Sequence, residues 1–196
     1  MRIDSTRAST CSRGNRRVGT RDFILCGLFA ALMIVGAYLR VPFPVVPLTF
    51  QPFFAILSGL LLGARLGALA QSVYLLTGLL GVPVFAGGSA GIMYVLKPTF
   101  GFLLGFLLAA IVAGMVGGGA RNPGMVRLVI ASTAGLAVIY IVGIVYMYLI
   151  QSFYLAKAVT LPGVAQAMLP FLLKDFVLFL AASVIACRLI PVLRRT

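Results

Sequence analysis

The sequence has no histidine. That removes His-activated nucleophiles and His metal sites at once. Its only acidic residues are Asp4, Asp22 and Asp175, and only Asp175 falls within a long apolar run. A pair of intramembrane carboxylates therefore cannot be assembled from one chain. None of the three lysines, Lys97, Lys157 and Lys174, follows a glycine, so there is no Walker-type phosphate loop. Cys11, Cys26 and Cys187 lack the paired spacing of a disulfide framework or a metal site. An enzyme is not expected, nor a metal, nor a cofactor bound as catalyst. Any active transport must draw its energy from a partner or from an ion gradient.

What remains is overwhelmingly apolar. Of the 196 residues, 62% are hydrophobic and 10% charged, and the mean hydropathy is +1.13. That is the composition of an integral membrane protein. A spanning helix needs roughly 20 mostly apolar residues. The length suits an all-α bundle with short loops and no separate soluble domain. A net charge of +13 would suggest a nucleic-acid partner in a soluble chain. Here its distribution is better explained by membrane topology.

Residues 1–22 form a polar tail with Arg2, Arg7, Arg13, Arg16, Arg17 and Arg21, expected to be disordered and cytoplasmic. Val35 and Ala37 are spaced like a signal-peptide cleavage site. The long basic region before the apolar run, and the run's continuation towards Arg40, argue against cleavage. Residues 23–196 read as a six-helix transmembrane domain. The first helix is expected over Phe23 to Leu39. Gly27 and Ala31 share one face of it, as do Ala30 and Ile34. Small residues at that spacing allow close helix approach, to a partner protein or within the bundle.

Pro42, Pro44, Pro47 and Pro52 rule out continuous helix from Arg40 to Pro52. The stretch reads as an extended loop folding back over the bundle, with Thr49 and Gln51 as its polar groups. Helices two and three are expected over Phe53 to Ala64 and Leu66 to Leu80. Each is short for a span, so they are tilted, extended by their loops, or one interrupted re-entrant element. Helix four is expected from Thr99 to Val116, helix five from Leu128 to about Ser152, and helix six from Leu169 to Ile190. The stretch between Phe153 and Met168 reads as loop.

Basic residues test this count. With the N-terminus inside, the inner segments hold the six tail arginines, Arg65, Arg121, Arg127, Arg188, Arg194 and Arg195. The outer segments hold only Arg40, Lys97 and Lys157. The asymmetry supports six spans with both termini in the cytoplasm. It also puts two punctuated loops, Arg40 to Pro52 and Gly81 to Pro98, on one outer face.

The second of these loops, GVPVFAGGSAGIMYVLKPTFG from Gly81 to Gly101, is rich in glycine and bracketed by Pro83 and Pro98. Gly88 and its neighbours permit sharp turns or close approach to a ligand. Phe85, Met93 and Tyr94 add apolar and aromatic surface. The stretch is either the floor or lid of a small-molecule pocket or a plain connection. Asp175 is the sharpest single residue. An ionisable group within a span is costly and usually faces a polar cavity. As a carboxylate it suits a ligand that presents N–H donors. A pair with adjacent Lys174 is the structural alternative, and neighbouring helix positions about 100° apart make it geometrically poor.

Three segments carry a family resemblance. VPLTFQPFFAILSGLLLGARLGALAQSVYLLTGLLGVPVFAGGSAG, KPTFGFLLGFLLA and PFLLKDFVLFLAA resemble the signature segments of the BioY family, biotin-binding S components of energy-coupling-factor (ECF) transporters. The likeness runs from the first helix to the last and omits the arginine-rich tail. It implies a six-helix S-component bundle in the cytoplasmic membrane, biotin bound at the outer face, and an EcfT-type membrane partner with ABC-type ATPase subunits. Monomer and homo-oligomer both stay open. On helix one, Gly27, Ala30 and Ala31 are the implied partner-interface residues. Asp175 matches the family's ligand-binding aspartate. Two positions depart from the pattern. Leu96-Lys97-Pro98-Thr99-Phe100-Gly101-Phe102 stands where Gly-Pro-Thr-Gly-Gly-Tyr is usual, and Leu178 stands where a lysine usually follows the aspartate by one turn. Lys174 occupies a position that is usually glycine.

Biotin's ureido ring carries two N–H donors and a carbonyl, its tetrahydrothiophene ring is apolar and its tail ends in a carboxylate. Such a ligand needs one acceptor, a few donors and an apolar wall. Asp175 is the expected acceptor, with Gln51 and Ser89 as alternatives. Phe85, Tyr94 and Tyr148 are candidate wall. Lys97 and Arg40 are candidate partners of the carboxylate, or solvated loop charges. Competing readings are an S component for another vitamin, a solitary proton-coupled carrier using Asp175, and a structural membrane protein without a ligand.

Overall fold

The computed structural model describes residues 19–41, 48–118, 123–156 and 159–193. Most of the basic tail, and the side chains of Arg121, Lys157, Arg194 and Arg195, lie outside the described residues. Within them the chain is almost wholly helical: α1 (Thr20–Tyr38), α2 (Gln51–Leu62), α3 (Ala64–Leu79), α4 (Phe100–Val116), α5 (Met125–Leu149), α6 (Leu161–Ala167) and α7 (Leu169–Leu193). Of these, α1, α5 with its continuation to Tyr154, and α7 to Val192 are long and apolar enough to cross a membrane; α2 and α4 are apolar but shorter.

The proline-rich loop is more ordered than expected where it is described. Its ends pair as a short antiparallel ladder, β1 (Arg40–Val41) on β2 (Leu48–Thr49), with Arg40 opposite Thr49. Immediately after it, α2 starts at Gln51 with Pro52 in its first turn, where a missing N–H costs nothing.

The ambiguity over the second and third helices resolves as an antiparallel hairpin. Gly63, at φ +82°, turns the chain between them. Gln51 then reaches Tyr74 (2.7 Å) and Ser58 reaches Gln71 (3.2 Å), pairings that only antiparallel helices allow. In the bundle α2 is the hub. It packs against α1, α3, α4, α5 and α7, and eight of its residues are buried. A helix covered on all sides needs no polar face, which is why its sequence reads as continuously apolar.

The stretch between Phe153 and Met168 is not plain loop. Beyond Leu149 the chain widens into a π-turn (Ile150–Tyr154) and then forms α6. Thr160 caps α6 by accepting from the Gly163 N–H at 3.3 Å, and Pro162 sits in the first turn. The last helix, α7, buries Phe171, Asp175, Phe179, Ala182, Ala186 and Ile190 on one stripe. Asp175 is therefore on the core-facing side by helical period alone.

Candidate functional site

At one end of the bundle the first turns of α2, α4 and α7 meet the second half of α5. They enclose a cavity with about 540 Å³ of empty space, part of it open to solvent. The enclosed part of that space is only about 50 Å³, so a ligand larger than a few waters also occupies its open mouth. Phe102 and Phe106 from α4, Ile139 from α5, and Met168 and Phe171 at the start of α7 make the wall apolar. Thr49, Gln51, Tyr140, Lys174 and Asp175 supply most of its polar groups.

Asp175 is 5% exposed. Tyr140 donates its hydroxyl to Asp175 Oδ2 at 2.8 Å. On the other side Lys174 Nζ lies 2.7 Å from Asp175 Oδ1. The two residues do pair, contrary to the expectation from helical angles, because the long lysine stem folds back along the helix surface. Yet the approach is skewed. Oδ1 is buried and accepts no aligned hydrogen bond among the described residues. The Lys174 ion pair offsets part of the cost of burying that oxygen, while its skewed approach leaves room for a further donor. The same ammonium donates to the Thr49 carbonyl at 2.7 Å.

Of the candidate ligand residues, the cavity is lined by Asp175, Lys174, Gln51 and Tyr94. Gln51 is 2% exposed and spends its amide N–H on the Tyr74 hydroxyl. Tyr94, in the 3-10 turn Ile92–Leu96, is buried with its hydroxyl 3.4 Å from Thr99 Oγ1. Burial raises its phenol above the ordinary value, so it stays a neutral hydroxyl.

The glycine-rich loop is pinned rather than loose. Tyr38 from α1 donates to Pro83 O (2.6 Å), Tyr74 from α3 to Val84 O (3.1 Å), and Tyr146 from α5 to Val95 O (2.6 Å). Three helices thus hold the loop across the bundle end, and it lends Ala86 and Tyr94 to the cavity wall. Phe85 stands behind that wall. Its ring fills the space where Gly78 has no side chain, and it packs on Tyr74 and Tyr94 at centroid distances of 5.7 and 4.5 Å. It supports the lining rather than forming it. Gly88 adopts φ +67° in the turn closed by its N–H to Phe85 O (3.0 Å) and also stands off the cavity.

Outside the cavity, Lys97 donates to Ser89 Oγ at 3.1 Å and sits 4.8 Å from the Tyr94 ring centroid. Arg40 lies across Gly87, where a Cβ would come within 2.6 Å of its Nη1. Both cations are exposed at the rim. Tyr148 is half-buried and not part of the lining. The tyrosine that matters on α5 is Tyr140, eight residues earlier and about 80° round the helix. Its pairing with Asp175 depends on how α5 and α7 are set against each other, which no local pattern records. Leu178 packs against the core, away from the cavity lining.

On α1, Gly27 and Ala31 are exposed, with nothing within 4 Å of a Cβ built at Gly27. Ala30 is 7% exposed and belongs to the core. Only the first two remain on the outer surface of the bundle.

The BioY family model matches residues 7–195. Among curated proteins, the chain is 38% identical over 184 residues to "Probable biotin transporter BioY" of Lysinibacillus sphaericus, covering 91% of each chain. It is 41% identical over 169 residues to the protein of the same name from Pyrococcus horikoshii, covering 86% of this chain and 96% of that one. With "Biotin transporter BioY" of Thermotoga maritima it shares 35% identity over 172 residues, 86% and 95% of the two chains. A solved crystal structure of the S-component for biotin from an ECF-type ABC transporter superposes with a TM-score of 0.65 at 20% identity, over 90% of this chain and 92% of that one. At that identity the likeness speaks for the fold.

Proposed function

The chain belongs to the BioY family, a family of transporters and not of enzymes, and from that premise we propose that it captures biotin as the substrate-binding S component of an ECF transporter. The observation that carries this reading is Asp175, a buried carboxylate whose Oδ1 lacks an aligned hydrogen bond and which lines an apolar cavity. A neutral ureido ring can add aligned N–H donors beside the Lys174 ion pair without bringing in a further buried charge. The aromatic and aliphatic wall takes the tetrahydrothiophene ring and the tail. Tyr140 fixes the carboxylate, while Arg40 and Lys97 at the rim favour an anionic carboxylate there. Biotin is the transported ligand, and no catalytic cofactor enters.

The charge asymmetry supports six spans with both termini cytoplasmic, so the cavity opens on the outer face of the cytoplasmic membrane. The chain carries no phosphate loop of its own. ATP hydrolysis therefore falls to partner ATPases, coupled through an EcfT-type membrane protein that meets α1 at Gly27 and Ala31. Equilibrium binding to the purified protein tests the reading. Biotin should bind and thiamine and riboflavin should not; a preference for either of the other vitamins would overturn it.

A further inference from the structure

We propose that Lys174 is a positioning residue that latches the segment before α2 onto the ligand-accepting carboxylate, an inference that rests on the reading of Asp175 as that acceptor. Its ammonium stands 2.7 Å from the Oδ1 of adjacent Asp175 and 2.7 Å from the carbonyl of Thr49, which is 125 residues away in sequence. Thr49 closes β2 opposite Arg40, and two residues later α2 begins. Phe50, between them, is held from the other side by its N–H to Gly36 O at 3.1 Å. One cation therefore joins α7 to Thr49, which lines the cavity and is 8% exposed.

The chemistry makes this more than a convenient contact. Lys174 Nζ has three N–H donors, and one is spent on the Thr49 carbonyl. Its charge then stays beside Oδ1, offsetting the cost of the buried carboxylate without occupying the oxygen in line. The neighbouring ammonium favours the ionised carboxylate and still leaves Oδ1 without an aligned donor, a place for a ligand N–H. Lifting the Thr49 segment would pull the ammonium from the carboxylate. Entrance and acceptor are thus organised by a single side chain. Nothing else on α7 replaces it, since the position one turn beyond Asp175 on the same face is Leu178.

The test places a reporter at Thr49→Cys, which keeps the backbone carbonyl, in a chain whose Cys11, Cys26 and Cys187 are replaced by alanine. Labelling by a membrane-impermeant maleimide is followed in the ligand-free protein, and biotin affinity is measured separately without the reporter. Losing a charge-assisted tether should raise the labelling rate of Lys174→Met, and its biotin Kd, by roughly tenfold or more each. Lys174→Arg, which keeps a cation and N–H donors for both partners, should restore both towards the parent. If Lys174→Met does not purify folded, Lys174→Gln carries the same expectation, having lost the charge. Unchanged labelling in the neutral variant, or failure of arginine to rescue, overturns the latch. A parent protein that does not bind biotin would instead sink the functional reading, and the labelling result would still judge the latch.

Discussion

Tyr140 and Asp175 meet across the α5–α7 interface, hydroxyl to carboxylate oxygen, at 2.8 Å and largely buried. The bond does two jobs. It satisfies one oxygen of a buried acid, and it fixes the plane of the carboxylate so that the other oxygen keeps a constant direction. Tyr140→Phe removes only the hydroxyl. Leaving Oδ2 without its donor should lower stability by about 1–3 kcal/mol. Thermal unfolding in detergent reads the stability and equilibrium binding reads a weaker biotin affinity. A variant as stable and as tight as the parent would remove Tyr140 from the site.

Gly78 is a packing position. Phe85 fills the space a side chain would need, and Phe85 in turn backs Tyr94 on the cavity wall. Gly78→Ala should therefore displace the glycine-rich loop as well as overpack the core, costing about 1–3 kcal/mol and weakening biotin binding. Full stability would show that the Phe85 ring shifts freely.

The exposed and buried small residues of α1 should part company on mutation. Ala31→Trp presents a bulky group on the outer surface, so uptake should be abolished while biotin binding by the purified protein is spared. Ala30→Trp forces the same group into the core and should lower stability and binding together. Loss of binding in purified Ala31→Trp would give that position an internal packing role.

Topology is checked by reporter fusions at Thr196 and within Gly87–Ala90. Opposite signals are expected from the arginine distribution. Equal signals would remove the six-span arrangement.

The long helices were legible because membrane spans write themselves as uninterrupted apolar runs, and a break between the second and third was legible to within two residues of Gly63, where the chain turns. The seven-residue α6 was not, because it is too short for periodicity and rests on the Thr160 cap and Pro162. Asp175 stood out as the one acid in an apolar stretch. Of its partners, Tyr140 did not, and helical angles alone argue against the Lys174 pair. Tyr140 depends on the register between two helices, and Lys174 reaches Asp175 through a flexible stem that a helical wheel does not describe. Candidates taken from the glycine-rich loop are sorted by the fold for a related reason. Composition marked the loop, but only the fold decides that Tyr94 faces the cavity while Phe85 stands behind it.

The central claim is that Asp175 reads the donors of biotin, and equilibrium binding of biotin to purified Asp175→Ala tests it most directly. Hydrogen bonds to a charged acceptor are worth about 1.5–3 kcal/mol each, so the affinity should fall roughly tenfold or more. Asp175→Asn should lose less, because its carbonyl still accepts. A well-folded Asp175→Ala protein that binds biotin as tightly as the parent would contradict the account and make the aspartate a structural residue.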